Sequence, residues 1–283
     1  MYINIKLLLY ITTIGKLASA TNYCEIGNVV HDCVYTITCE HFAGSAQNPS
    51  CNYEPYVTFL IKNSFVETLT AGFFGATNFD SRVRRIEAKD NRWITLEESS
   101  LRYFTKTQSI DFSFNRIQIV KNLAFKNLQA LQHLNLSNNA IEVLPTSSLM
   151  TSENRLSELK TIDISLNRIT EISPEAFKYL AKLEELYLNN NNINVLADNV
   201  FGDLNNLIRL NLRHNHLLSL NMTLINLKSL KYLDLSYNNI LTVSGYELNR
   251  LTSLQDLNMS YNSIKSVESN CFTQAFNLTR VDF

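Results

Sequence analysis

Five histidines, His31, His41, His133, His214 and His216, and five cysteines have the most chemical reach in this chain of 283 residues. His214 and His216 are close enough in sequence to suggest a metal pair. A protein zinc site needs at least a third protein ligand, and none is evident beside them. No G-x-S-x-G nucleophile elbow, no H-E-x-x-H zinc motif and no glycine loop able to cradle a phosphate is present. The sequence therefore predicts no catalytic residue, no metal and no cofactor. A formal net charge of −1 gives no electrostatic reason to expect nucleic acid as a partner.

What the sequence does contain is a repeated spacing. Leu183, Leu186, Leu188, Asn191, Ile193 and Leu196 are matched 24 residues later by Leu207, Leu210, Leu212, Asn215, Leu217 and Leu220. Reading outward gives ten unit starts, at Tyr56, Val83, Thr107, Leu131, Leu159, Leu183, Leu207, Leu230, Leu254 and Leu278. A period of this length is the signature of a solenoid, and the pattern is that of a leucine-rich repeat. The expected fold is α/β: a right-handed horseshoe with a parallel sheet on the concave face and short helical or irregular convex segments. Alternation at positions 4 to 6 of each unit predicts a short strand with one face inward, Leu183 to Leu188 in the reference unit. Domain organisation follows: 1–20 a leader, 21–55 a cap, 56–283 the array, its last unit incomplete.

Two columns inside the repeat explain its chemistry. Position 9 is Asn91, Asn115, Asn139, Asn167, Asn191, Asn215, Asn238 and Asn262, with Ser64 in the first unit. Here the chain leaves the sheet and strands backbone polar groups inside the stack. Leaving one unpaired costs about 1–3 kcal/mol, and Asn offers both donor and acceptor. Position 19 is Phe74, Phe125, Phe177, Phe201 and Phe272, with Leu101 and Leu248 in other units, an aromatic spine for the convex side. Two longer units place extra residues around 78–81 and 151–154, expected as convex bulges that leave strand spacing undisturbed. Cys271 takes a small-residue slot and reads as a packed thiol. The chain stops in mid-strand at Phe283, so a fragment or truncated product is expected.

The front end is a different kind of sequence. An apolar run from Leu7 to Ile14 follows Lys6 and precedes Ala18-Ser19-Ala20. The run is too short to span a bilayer, and the small residues suit signal-peptide cleavage, with Thr21 as the mature start. No membrane span is expected in the chain, and the product should be secreted and extracellular. Cys24, Cys33, Cys39 and Cys51 fall before or at the edge of the array. A solenoid exposes the apolar end of its first turn, and a cap this short is normally stapled. Two disulfides meet that need, and three pairings are open.

Positions 2, 3, 5, 7 and 8 point off the concave sheet and carry no packing duty in this reading. His214, Tyr237 and Tyr261 fall at position 8, Tyr232 and Arg209 at position 3, Tyr187 at position 5 and Arg213 at position 7. Clustered exposed aromatics are candidate interface anchors. The predicted site is a protein-binding patch on the concave face formed by Tyr187, Arg209, Arg213, Tyr232, Tyr237 and Tyr261. An exposed Arg209–Glu185 ion pair is the plainer expectation for that arginine. Four N-x-[ST] sequons, at Asn135, Asn221, Asn258 and Asn277, are candidate glycosylation sites. A glycan on Asn258 would stand beside Tyr232 and partly cover the patch.

The units L-Q-H-L-N-L-S-N-N-A-I-E-V-L and L-K-Y-L-D-L-S-Y-N-N-I-L-T-V resemble extracellular leucine-rich-repeat proteins with 24-residue repeats. The cap followed by V-T-F-L-I-K-N-S-F-V-E-T-L resembles the opening of the array in insect leucine-rich immune proteins. That resemblance implies circulation in haemolymph, binding to complement-like thioester proteins, and a dimer joined through cysteines and a coiled coil beyond the array. The expected function is a secreted, non-enzymatic protein-binding module in invertebrate innate immunity. The alternative is the truncated ectodomain of a leucine-rich-repeat membrane receptor or adhesion protein.

Overall fold

A computed structural model describes residues 6–8, 23–29, 34–40, 56–62, 67–69, 83–144, 156–220 and 223–283. One 13-stranded sheet runs through it. Its first members, Lys6–Leu8, Tyr23–Val29 and Val34–Glu40, are antiparallel neighbours. From Val34–Glu40 onward every pairing is parallel, through Tyr56–Lys62, Val83–Glu87, Ser109–Asp111 and His133–Asn135. The stack continues through Thr161–Asp163, Glu185–Tyr187, Arg209–Asn211, Tyr232–Asp234, Asp256–Asn258 and Arg280–Asp282. In the reference unit the strand is shorter than the expected Leu183 to Leu188. The leader and cap fall mostly outside the described residues, as do Ser64, Phe74, Cys33, Cys51, Asn221, His31, His41 and the segments 78–81 and 151–154.

The core is the alternation made solid. Leu183, Leu186, Leu188 and Ile193 are fully buried, and so are their counterparts Leu207, Leu210, Leu212 and Leu217. The convex spine is buried at Leu101, Phe125, Phe177, Phe201 and Leu248 and half-buried at Phe272. Phe177 and Phe201 stack with ring centroids 5.8 Å apart. Such burial contributes about 25 cal/mol per Å² of apolar surface, and here each repeat supplies it to its neighbours. Cys271 is buried, its Sγ 3.2 Å from the Val243 carbonyl.

A second line of pairing runs beside the sheet, in parallel two-residue strands such as Val143–Leu144, Glu171–Ile172 and Val195–Leu196. It is interrupted between Ile119–Val120 and Val143–Leu144, and again across the unit from Leu207, which is one residue short of the usual period. The longer first unit also departs from expectation. Its strand pairs with the next through a β-bulge between Val57 and Thr58, whose partners are Val83 and Arg85. The extra residue, Arg84, is absorbed within the sheet. The unit from Leu131 pairs without a shift.

The asparagine column ties the repeats together. Asn191 Nδ2 donates to the carbonyls of Leu188 and Ile164, each at 3.0 Å. Its Oδ1 accepts from the Ile169 N–H at 3.0 Å. The same three bonds recur at Asn215 and Asn238, one repeat and two repeats on. Each side chain closes its own turn and clamps the preceding one.

Candidate functional site

The outward positions of the strands turn out to have local duties. At position 5, Asp111, Asn135, Asp163, Asn211, Asp234 and Asn258 each accept, through Oδ1, the backbone N–H two residues on. Distances are 2.9–3.1 Å, an Asx turn that launches the chain off the sheet. Position 5, read from the sequence as carrying no packing duty, thus has a turn-forming duty as well. Burial opposes the charge of Asp111, yet hydrogen bonds from Ser113 and Lys89 hold its carboxyl below the usual value. Glu87 and Tyr187 are exceptions in the column, and Tyr187 brings a ring there. Its phenol donates to Glu185 Oε2 at 3.0 Å. Burial first, then that bond and the Glu185 charge, push the phenol above its ordinary pKa, against the pull of Arg209.

Position 8 is a column of left-handed backbone. Asp90, Phe114, Asn138, Leu166, Asn190, His214, Tyr237 and Tyr261 all have φ between 52° and 57°. Asn and Asp tolerate this region, whereas a bulky L-residue is disfavoured there by about 1–2 kcal/mol. Five of the eight are bulky, and none is buried; Phe114 is 55% and Tyr261 69% exposed. His214, Tyr237 and Tyr261 stack as a ladder, successive centroids 4.2 Å apart and planes within 24°. Phe114 and Leu166 belong to this column and were missed in the sequence, although their position number could have found them.

The arginines sit on tyrosine faces. The Arg209 guanidinium carbon lies 4.2 Å from the Tyr232 ring centroid, and that of Arg213 4.3 Å from Tyr237. Arg213 Nη1 also donates to Ser236 Oγ at 3.0 Å. The expected Arg209–Glu185 ion pair does not form among the described residues; the guanidinium lies against an aromatic face instead. A shallow concave groove of about 320 Å³ is lined by Tyr187, Arg209, Tyr232, Asp256, Asn258 and Arg280. The predicted patch is thus two adjoining parts, a groove with Tyr187, Arg209 and Tyr232 and a ladder with Arg213, Tyr237 and Tyr261. Asp256 and Arg280 complete the groove; following position 3 to the end of the chain would have found both.

The sequons differ in setting. Asn135 and Asn258 are half-buried on strands, while Asn277 is exposed, its Nδ2 2.9 Å from the Thr252 carbonyl. His214 is in the ladder and His216 is exposed. Among the described residues no three His, Cys, Asp or Glu side chains gather as metal ligands, and no helix is long and apolar enough to cross a membrane.

Strand, clamp and turn recurring in register define a leucine-rich-repeat solenoid. The leucine rich repeat family model matches residues 105–154, 157–217, 181–240, 209–264 and 228–282, and the chain belongs to that family. Human leucine-rich repeats and immunoglobulin-like domains protein 3 is 31% identical over 48% of this chain and 14% of its own length. Human oligodendrocyte-myelin glycoprotein is 29% identical over 66% of this chain and 39% of its own. The matches span 14–39% of the curated relatives' lengths. A chain in the octameric complex of Latrophilin 3, Unc5D and FLRT2 superposes with a TM-score of 0.64 at 21% identity, over 80% of this chain and 65% of that one. At that identity it speaks for the fold alone. The matched relatives include non-enzymatic and extracellular proteins.

Proposed function

We propose that this chain is a secreted recognition module that grips a protein partner with the concave face of its C-terminal half. The observation that carries this reading is the position-8 column. Left-handed backbone would be better served by Asn, as at Asn138 and Asn190, yet His214, Tyr237 and Tyr261 hold it as a solvent-facing ladder. Strain kept on an exposed surface with no core to fill points to contact with something else. Tyr187 makes the same point, filling a turn-forming slot with an aromatic ring. Resemblance of the cap to insect leucine-rich immune proteins adds the finer reading: an invertebrate innate-immune factor meeting a complement-like protein, paired through a region beyond Phe283.

A second reading draws on the relative in which such repeats accompany immunoglobulin-like domains. In it, the array is the recognition part of a receptor ectodomain. Both readings share the concave patch. Recombinant full chain should recover a binding protein from the source body fluid, and Tyr232→Ala with Tyr237→Ala should weaken that complex at least tenfold. Ile119→Ala with Val143→Ala is the control, both being exposed and outside the 13-stranded sheet. Equal loss in both pairs, or in neither, would remove the patch from the reading.

A further inference from the structure

Basic side chains at concave positions 3 and 7 fall into two kinds. Arg85 pairs with Glu87 at 2.5 Å, Lys89 with Asp111 at 2.9 Å and Arg280 with Asp282 at 2.7 Å. Each has its charge met by a carboxylate at position 5. Arg209 and Arg213 do not: among the described residues neither has an ion-pair partner. For Arg209 the reason is visible in the sequence of the unit. Position 5 of their own strand is Asn211, which is neutral and spends its Oδ1 on the Arg213 N–H. The place equivalent to Asp111 beside Lys89 is Asp234 beside Arg213. Asp111 and Asp234 both give Oδ1 to the serine two residues on; Lys89 pairs with Asp111 through its second oxygen, Oδ2, whereas Arg213 lies over the Tyr237 ring and reaches Ser236 Oγ.

Two guanidinium groups thus sit over the rings of Tyr232 and Tyr237, held in place without being neutralised. A stacked guanidinium keeps its planar fork of donors ready for a carboxylate. We propose that the partner is an acidic protein segment that sets one carboxylate against Arg209 and a second against Arg213. This rests on the concave-patch reading and names its chemistry. The two arginines stand four positions apart, about 13 Å of extended chain, so two separated acids are required. A continuous polyanion fits poorly. Glu185, Asp234, Asp256 and Asp282 share these strands with only Arg209, Arg213 and Arg280, so a run of phosphates or sulfates would meet uncompensated negative charge.

The test pans a displayed library of random 12-residue peptides on the immobilised full chain, with counter-selection on the double variant Arg209→Gln/Arg213→Gln. Unchanged melting of that variant establishes that it is folded. Retained peptides should carry at least two Asp or Glu. As synthetic peptides they should bind the double variant about a hundredfold more weakly than the parent, about tenfold for each arginine. Their affinity should fall as salt rises, and Lys121→Gln, exposed and outside the 13-stranded sheet, should leave it unchanged. Retained peptides no more acidic than the starting library, yet still dependent on Tyr232 and Tyr237, would overturn the acidic partner and leave the patch standing. Peptides indifferent to all four residues would overturn both. Heparin binding that disappears in the arginine variant would overturn the proposal in favour of a polyanion.

Discussion

An asparagine at position 9 holds three backbone groups at once. Asn215 donates to the Leu188 and Leu212 carbonyls and accepts from the Ile193 N–H, all at 3.0 Å, while only 3% exposed. Alanine leaves all three groups without that partner in a space water does not freely enter. Asn215→Ala should therefore destabilise the array by about 2–4 kcal/mol, counting one to two unsatisfied groups after relaxation. A urea titration should show the midpoint falling with little change in slope. A loss below about 0.5 kcal/mol would mean the clamp is dispensable. The contrast with position 8 is instructive. There the backbone is awkward and the side chain is not needed by the fold, so residue choice is left to whatever the surface meets.

Single strands of three residues are too short to be stable by themselves. They persist because each lies in register between two others and seals a layer of leucines beneath it. The front of the sheet obeys another rule. Tyr23–Val29 and Val34–Glu40 are antiparallel, and their register sets Cys24 directly opposite Cys39. Antiparallel partners stand about 4.5–5.5 Å apart between Cα atoms, within the span of a disulfide. We therefore propose Cys24–Cys39 as one of the cap's two bridges, which leaves Cys33 for Cys51. Mapping an unreduced digest by mass spectrometry should return a peptide linking Cys24 to Cys39. A link from Cys24 to Cys33 or Cys51 would discard this pairing.

As a whole, the molecule offers one curved sheet to solvent, and a glycan placed on it would decide what it can grip. Asn258 lines the groove beside Tyr232, with its Oδ1 engaged by the Ser260 N–H and hydroxyl at 3.0 and 2.7 Å. Asn277 is exposed on the loop leading into the last strand. Expressed in cells that secrete and glycosylate, the product should begin at Thr21, carry sugar on Asn277 and carry none on Asn258. Intact mass before and after deglycosylation, with mapping of the N-terminal peptide, checks all three. A fully occupied Asn258 would contradict the concave patch as drawn.

The spacing of leucines and asparagines by itself determined the solenoid, because each position of a 24-residue unit meets the same neighbours one repeat away. That translational repetition turns a linear pattern into a three-dimensional one without long-range guesswork. It also made Tyr187, Arg209, Tyr232 and the position-8 aromatics legible as one face. What the pattern could not carry were relations between side chains that share a face but compete for partners. Only the tertiary structure decided that Arg209 lies on Tyr232 rather than against Glu185, and that Arg213 reaches Ser236 Oγ. It also showed that the ladder stands on left-handed backbone. Those outcomes depend on distances of a few tenths of an ångström and on which donor reaches an acceptor first, and a sequence period records neither.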